Sequence, residues 1–301
     1  MAPFALPDSS DASSVIVGVD GSPGAIHALA WTVAKSDALG PVSLVHVFQQ
    51  PTRSELDAWY GTRVARSTIR RAAECHLTKA VGATNPDLIH RAHLLEGHPG
   101  VMLCEVAVGA RLLVVGTRGR SSAVADPLGS ISSHCAQHAS VPVAIIPANA
   151  PVDRPLSKVV VGVDGSEHGD RALRWAIDHV AEGGRIHAVG ARPTVDPVDD
   201  EQPGLGRPTP DVEEKQIRDR VEAAVARVTG YPYDGPSIKI HAVAENPRIV
   251  LRNLAGVDAD LLVIGARGLG PVPHLVLGAV SSALIHHPQV PTVVVHGDGT
   301  R

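Results

Sequence analysis

The residues best placed to do chemistry in this chain are glycines, serines and one aspartate, occurring twice. Asp20 closes the segment VIVGVD at 15–20, and Asp164 closes VVVGVD at 159–164. The apolar run LLVV is followed by Gly116-Thr117-Arg118-Gly119, then nine residues, then Gly129-Ser130 at the head of a helical pattern. An aspartate at a strand end can accept hydrogen bonds from a ribose or a base, or hold Mg2+ through water. Gly116 and Gly119 lack a Cβ, so the backbone can turn sharply there and approach a ligand closely. Amide groups at a helix N-terminus, with the helix dipole behind them, favour phosphate. Taken alone, these residues point to a phosphate-bearing ligand that is bound rather than transformed. The chain has no GxxxxGK[ST] motif, no evident general base in the loops and no acidic metal cluster, so no catalytic residue and no protein-held metal is assigned. A slow ATPase or nucleotide-dependent transferase stands as the alternative, with Arg118, Arg120 or Arg267 supplying the charge such chemistry needs.

The elements that would position these residues occur in two copies. RLLVVGTRG at 111–119 returns as DLLVIGARG at 260–268, and GSISSHCAQHASVPVAII at 129–146 as GAVSSALIHHPQVPTVVV at 278–295. Three matched blocks in the same order predict tandem domains, since a solenoid needs shorter and more numerous units. The expected division is a tail at 1–13, a first domain at 14–147, a Pro-rich linker at 148–157 and a second domain at 158–297. In the first copy, short apolar runs at 15–19, 41–48, 88–94, 112–116 and 142–147 alternate with helical patterns after 22, at 63–82, 98–110 and 130–139. Buried strands alternating with helices predict a doubly wound parallel sheet in each domain, flavodoxin-like or adenine nucleotide alpha hydrolase-like, with strand order 3-2-1-4-5. In such a sheet the ligand lies at the carboxyl ends of strands one and four, where the winding reverses.

With these blocks in place, the chain resembles the universal stress protein family in its tandem-domain, ATP-binding form. That family carries G-x2-G-x9-G-[S/T] after strand four, which Gly116, Gly119, Gly129 and Ser130 match. The resemblance implies ATP as ligand, with Mg2+ as an optional companion, a regulatory role under stress with an unidentified protein partner, and a homodimer formed through strand five. It places Gly18, Asp20 and Val47 around adenine and ribose. Gly116, Thr117, Arg118, Gly119 and Arg120 would then hold the phosphates together with Gly129, Ser130 and Ile131. The matching second-copy residues are Gly162, Asp164 and Ala191, followed by Gly265, Ala266, Arg267, Gly268, Gly278, Ala279 and Val280. Two departures predict inequivalent sites. Ala279 stands where the motif has a hydroxyl, a loss of about one hydrogen bond or roughly 1 kcal/mol. In the first copy the loop RSSAVADP brings Asp126 toward the phosphates, where like charge repels. An interaction module with empty sites is the remaining alternative, strongest for one half alone.

Composition narrows the field further. A net charge of -4 without a Lys/Arg block disfavours nucleic acid as a partner. No apolar run reaches the ~18 residues of a membrane span, and residues 1–12 do not read as a signal peptide, so the expected location is the cytoplasm. Aromatic residues are only 3% of the chain, few for stacking a flavin. Cys75, Cys104 and Cys135 read as free thiols with packing roles, a redox sensor being the weaker alternative. His134 and His138 stand at i, i+4 spacing but lack an evident third ligand, and they read as solvated helix residues. Trp31 and Trp175, at equivalent helix positions, read as packing groups before base-stacking ones. The acidic, Pro-rich stretch at 196–210 reads as an exposed loop and a candidate partner surface.

Overall fold

The computed structural model describes residues 14–50, 66–119, 128–192, 209–269 and 277–297. The chain divides between Asp153 and Arg154 into two compact units. In the first, the strands are β1 (Val15–Gly18), β2 (Val42–Phe48), β3 (Ile89–Glu96), β4 (Leu112–Gly116) and β5 (Val143–Ile146). They pair in parallel in the order β3-β2-β1-β4-β5. Helices α1 (Pro23–Val33), the one-turn α2 (Ser36–Leu39), α3 (Arg66–Gly82), α4 (Pro99–Val106) and α5 (Ser130–His138) cross between them. Every residue of β2, β4 and β5 is buried, which is why these strands read as continuous apolar runs rather than alternating ones. β3 is the exception: it is only partly buried and carries His90, Arg91 and His93. That polarity made it the faintest strand in the sequence, yet it is eight residues long.

The second unit repeats the plan with β6 (Lys158–Gly162), β7 (Arg185–Ala191), β8 (Ser237–Val243), β9 (Leu261–Gly265) and β10 (Thr292–Val295). Its parallel order is β8-β7-β6-β9-β10. Its helices are α6 (Glu167–His179), α7 (Pro210–Thr229), α8 (Pro247–Asp258) and α9 (Ala279–His286). The order 3-2-1-4-5 expected from the repeat is thus the order of each unit, and the switch points lie between β1 and β4 and between β6 and β9.

The stretch between the units is strapped down at both ends. His27 Nε2 and Lys35 Nζ on or beside α1 reach the carbonyls of Ala150 and Val152 at 2.8 and 2.7 Å. On the other side, Asp260 accepts the backbone N–H groups of Ser157 and Lys158 at 3.1 and 2.9 Å. Arg154 lies 3.6 Å from the same aspartate, whose side chain is 10% exposed. The Pro-rich composition marks irregular backbone here; the side chains of each unit hold its own end in place.

Trp31 is buried under Lys35, whose ammonium sits 4.7 Å from the ring centroid, and Trp175 stacks on His179 at 4.1 Å. Both indoles pack α1 and α6 as expected. Cys75 departs from its expectation: it lies on an outward face of α3 and is exposed, whereas Cys135 is buried and Cys104 half-buried.

Candidate functional site

The turn after β1 is built from Asp20, Gly21 and Ser22. Ser22 N donates to Asp20 Oδ1 at 2.9 Å, and Ser22 Oγ accepts from Ala25 N at 3.2 Å, capping α1. Gly21 lies at φ 80°, a left-handed conformation that a side chain would strain. The second unit repeats each feature. Ser166 N donates to Asp164 Oδ1 at 2.9 Å, Gly169 N to Ser166 Oγ at 3.1 Å, and Gly165 lies at φ 85°. The aspartates therefore set the turn, and the serines two residues on cap the helix.

The turn after β4 is closed by two further bonds. Gly129 N donates to Thr117 O at 2.7 Å, and Ser132 Oγ donates to Gly116 O at 2.6 Å. Their counterparts are Gly278 N to Ala266 O at 2.7 Å and Ser281 Oγ to Gly265 O at 2.7 Å. This corrects one expectation: the Gly129 amide is committed to the loop and does not face a ligand. The amides that remain to an anion are those of Ser130, Ile131 and Ser132 in the first turn of α5, a helix with no side-chain cap. A second correction concerns Gly116 and Gly119. Neither has a positive φ, so a sharp turn is not their purpose. At Gly119 the purpose is close approach, since a Cβ there would stand 2.7 Å from Asp20 Oδ2. A Cβ on Gly268 would likewise collide with Asp164 Oδ2. Leu269 N donates to that oxygen at 2.9 Å.

These two turns and the first turn of α5 meet in a cleft of the first unit. Gly18, Asp20, Val47, Gly116, Arg118, Gly119, Gly129, Ser130 and Ile131 all line it. Arg118 and Ser130 are exposed at its mouth. Thr117 does not line it and contributes its carbonyl to the loop instead. Arg120 and Asp126 lie outside the described residues, as do positions 1–13 and 196–208. The lining also includes residues to which the sequence had assigned no role: Val19, Ala25, Val45, Val115, Pro99, Leu103 and Ser132. Pro99 and Leu103 form a wall carried by α4, and Leu103 Cδ1 stands 3.0 Å from where a Cβ on Gly18 would be. Ser132 had a signal, the Ser-Ser pair kept in both copies. The cleft is apolar toward Val45, Val47 and Leu103 and rich in donors toward α5, an arrangement that suits a ligand with a flat apolar end and an anionic end.

Strand register supports the alignment of the second copy. Gly18 stands opposite Val45, and Gly162 opposite Val189. Val47 and Ala191 therefore sit at the same step, two residues beyond these partners. The surroundings differ. Where α1 has Gly24, α6 has His168, whose backbone approaches Gly265 as that of Gly24 approaches Gly116 and whose ring lies beside Gly297. Burial, then Arg267 and Arg171, hold the His168 imidazole below its ordinary value. Where β2 has His46, with Nδ1 against Val19 O, β7 has Gly190, packed against Val221 and Ile217. Gly278, Ala279 and Val280 lead into α9 as Gly129, Ser130 and Ile131 lead into α5, but without the hydroxyl.

The His134 and His138 rings lie tilted at 41° with centroids 4.4 Å apart, and the His98 ring lies 6.0 Å from that of His134. Among the described residues no group of three His, Cys, Asp or Glu side chains is placed to hold a metal ion. Also among them, no helix is long and apolar enough to cross a membrane.

Comparison with known proteins agrees with this architecture. The sequence model of the universal stress protein family matches residues 12–147 and again 155–296. The chain is 28% identical over 297 residues to universal stress protein Rv2005c of Mycobacterium tuberculosis, covering 93% of this chain and 96% of that one. It is 28% identical over 304 residues to universal stress protein Rv1996 of the same organism, covering 93% and 94%. Among solved structures, a universal stress protein from Archaeoglobus fulgidus superposes with a TM-score of 0.66 at 19% identity, covering 97% of this chain and 98% of that one.

Proposed function

The chain belongs to the universal stress protein family, and from that premise we propose that it is an ATP-binding regulatory protein with two inequivalent nucleotide sites. The observation that carries this reading is the convergence of Asp20, Gly116, Gly119 and the first turn of α5 on one cleft. The glycine cradle fits such a ligand: the loop after β4 runs so close to Asp20 that a Cβ at position 119 would fill the space between them. In this reading Val45, Val47 and Leu103 flank the base and Asp20 accepts from the ribose. The Ser130–Ser132 amides, the Ser130 hydroxyl and Arg118 hold the phosphates. ATP supplies the anionic tail that distinguishes loaded from empty protein. No residue of the cleft is assigned a proton-transfer role, so binding without rapid turnover is the expected behaviour.

In the second unit the same reading uses Gly162, Asp164, Ala191, Gly265–Gly268 and Gly278–Val280, with Ala279 making the weaker site. Homodimerisation, Mg2+ as companion, a cytoplasmic location and a protein partner that reads the loaded state complete the proposal.

The test is to purify the full chain without added nucleotide, denature it and identify any released small molecule by mass. ATP at one or two equivalents supports one or two working sites. If nothing is released and Mg2+-ATP titration gives no heat, the reading fails and the empty interaction module replaces it. Steady conversion of ATP to ADP during the titration favours the ATPase alternative.

A further inference from the structure

Two of the three cysteines face each other across a helix pair, and the nucleotide reading gives them no part. Cys104 lies on α4 and Cys135 on α5, and each thiol is the strongest influence on the other's proton. The helices pack closely beside them, for a Cβ on Gly100 of α4 would overlap the His134 ring on α5 at 2.8 Å. Cys135 is buried and Cys104 is half-buried, so only the latter is open to a small reagent. We propose that Cys104 and Cys135 are a peroxide-responsive dithiol pair whose reversible disulfide ties α4 to α5.

The chemistry divides between the two sulfurs. The Cys104 thiol is held below its ordinary value by the hydrogen bond from Cys135, whereas the same contact and burial push the Cys135 thiol up. Cys104 therefore gives up its proton the more readily of the two, with Cys135 as the donor beside it. The Cys104 sulfur attacks one oxygen of a hydroperoxide and the O–O bond breaks. The leaving oxygen takes a proton and departs as water or an alcohol, leaving a sulfenic acid on Cys104. The Cys135 sulfur then attacks the Cys104 sulfur and the S–O bond breaks. Hydroxide leaves with the Cys135 proton as a second water. Two thiols lose two electrons in all, and the peroxide gains them.

The position gives the bond a structural consequence. α4 brings Pro99 and Leu103 to the cleft, and α5 brings Ser130, Ile131 and Ser132. The loop closed by the disulfide contains β4 and the whole glycine turn. Oxidation would fix two walls of the cleft to each other. The second unit has Arg252 and Leu284 at the corresponding positions and has no such pair.

The test treats the full chain with excess hydrogen peroxide, unfolds it, caps the remaining thiols with N-ethylmaleimide and counts adducts by intact mass. From three thiols, the expected result is a single adduct at Cys75, a disulfide linking the peptides that carry Cys104 and Cys135, and full reversal by dithiothreitol. Cys75→Ser should then show no adduct and the same linkage, which keeps the test open should a variant of buried Cys135 fail to fold. Cys104→Ser should keep both remaining thiols capped. Three adducts after oxidation, a linkage through Cys75, or Cys104 carried to the sulfinic acid while Cys135 still takes maleimide would each overturn the proposal. The thiol count reads the pair whether or not any nucleotide binds.

Discussion

The two units keep the same backbone bonds and fill the space around them differently. Both use an aspartate to hold the turn after the first strand, an amide to close the turn after the fourth, and a serine hydroxyl to clamp the fourth strand's last carbonyl. What differs is the side chains around those bonds: Gly24 against His168, His46 against Gly190, Ser130 against Ala279, Cys104 against Arg252, and of these first-unit residues Ser130 lines the cleft. A buried backbone group left without a partner costs about 1–3 kcal/mol wherever it occurs, so the bonds that satisfy the turns are constrained equally in both copies. Side chains that line a cleft are constrained only by what the cleft must hold. Divergence around an unchanged set of turn bonds teaches that the frame tolerates different surroundings, and that each half should be tested on its own.

The sharpest way to break the comparison is at the close approach. Gly119→Val should weaken Mg2+-ATP binding to the first unit by about a hundredfold or more, because the side chain displaces the loop from Asp20. The second unit should be untouched, and Gly268→Val should do the reverse. Calorimetric titration of each variant reads both sites, and an equal loss at both would sink the idea of independent halves. Next come the clamps. Ser132→Ala and Ser281→Ala each leave a buried carbonyl without its donor, and each should lower the stability of its own unit by about 1–2 kcal/mol in urea melts. Similar costs in the two units would sharpen the claim that the frame is common.

A smaller effect is expected at the helix heads. Ser130→Ala should weaken the first site by roughly fivefold and Ala279→Ser strengthen the second by a similar factor, about 1 kcal/mol each. If Ala279→Ser leaves a silent second site silent, then the missing hydroxyl is not the obstacle there. The smallest effect is with pH. In the second unit burial holds His168, His187 and His241 below the ordinary value of 6.5, reinforced by nearby cations, whereas in the first only His134 is so held among the described residues. The folded state thus binds fewer protons than the unfolded chain just below that value. The stability is full above pH 6.5 and is lost as the pH falls beneath it. Amide protection factors, corrected for the intrinsic slowing of exchange at lower pH, should fall more in the second unit than in the first between pH 7 and 5.

The duplication made most of this architecture readable from the sequence. Paired blocks fixed the strands, and the strands fixed the switch point, because buried parallel strands are apolar on both faces and bounded by glycine. The polar strand β3 was faint for the same reason: it is only partly buried, so its pattern lacks the continuous run. Nine proposed first-site residues prove to share one cleft, since local turn chemistry carried them there. The α4 wall was not legible. Leu103 reaches the cleft through tertiary packing against Gly18, and nothing within α4 distinguishes a lining leucine from a core one. Nor could spacing show that the Gly129 amide is spent on Thr117, or that Cys104 and Cys135 meet. Both facts depend on how a loop folds back on itself.

The serine clamps also sort polarity. With Ser132 on the Gly116 carbonyl and Gly129 on the Thr117 carbonyl, two negative ends of the loop are already occupied. The α5 side of the cleft is left to N–H groups and a hydroxyl. That side discriminates by sign before it discriminates by shape: an anionic group meets donors already aimed, while the Asp20 carboxylate puts negative charge on the β1 side.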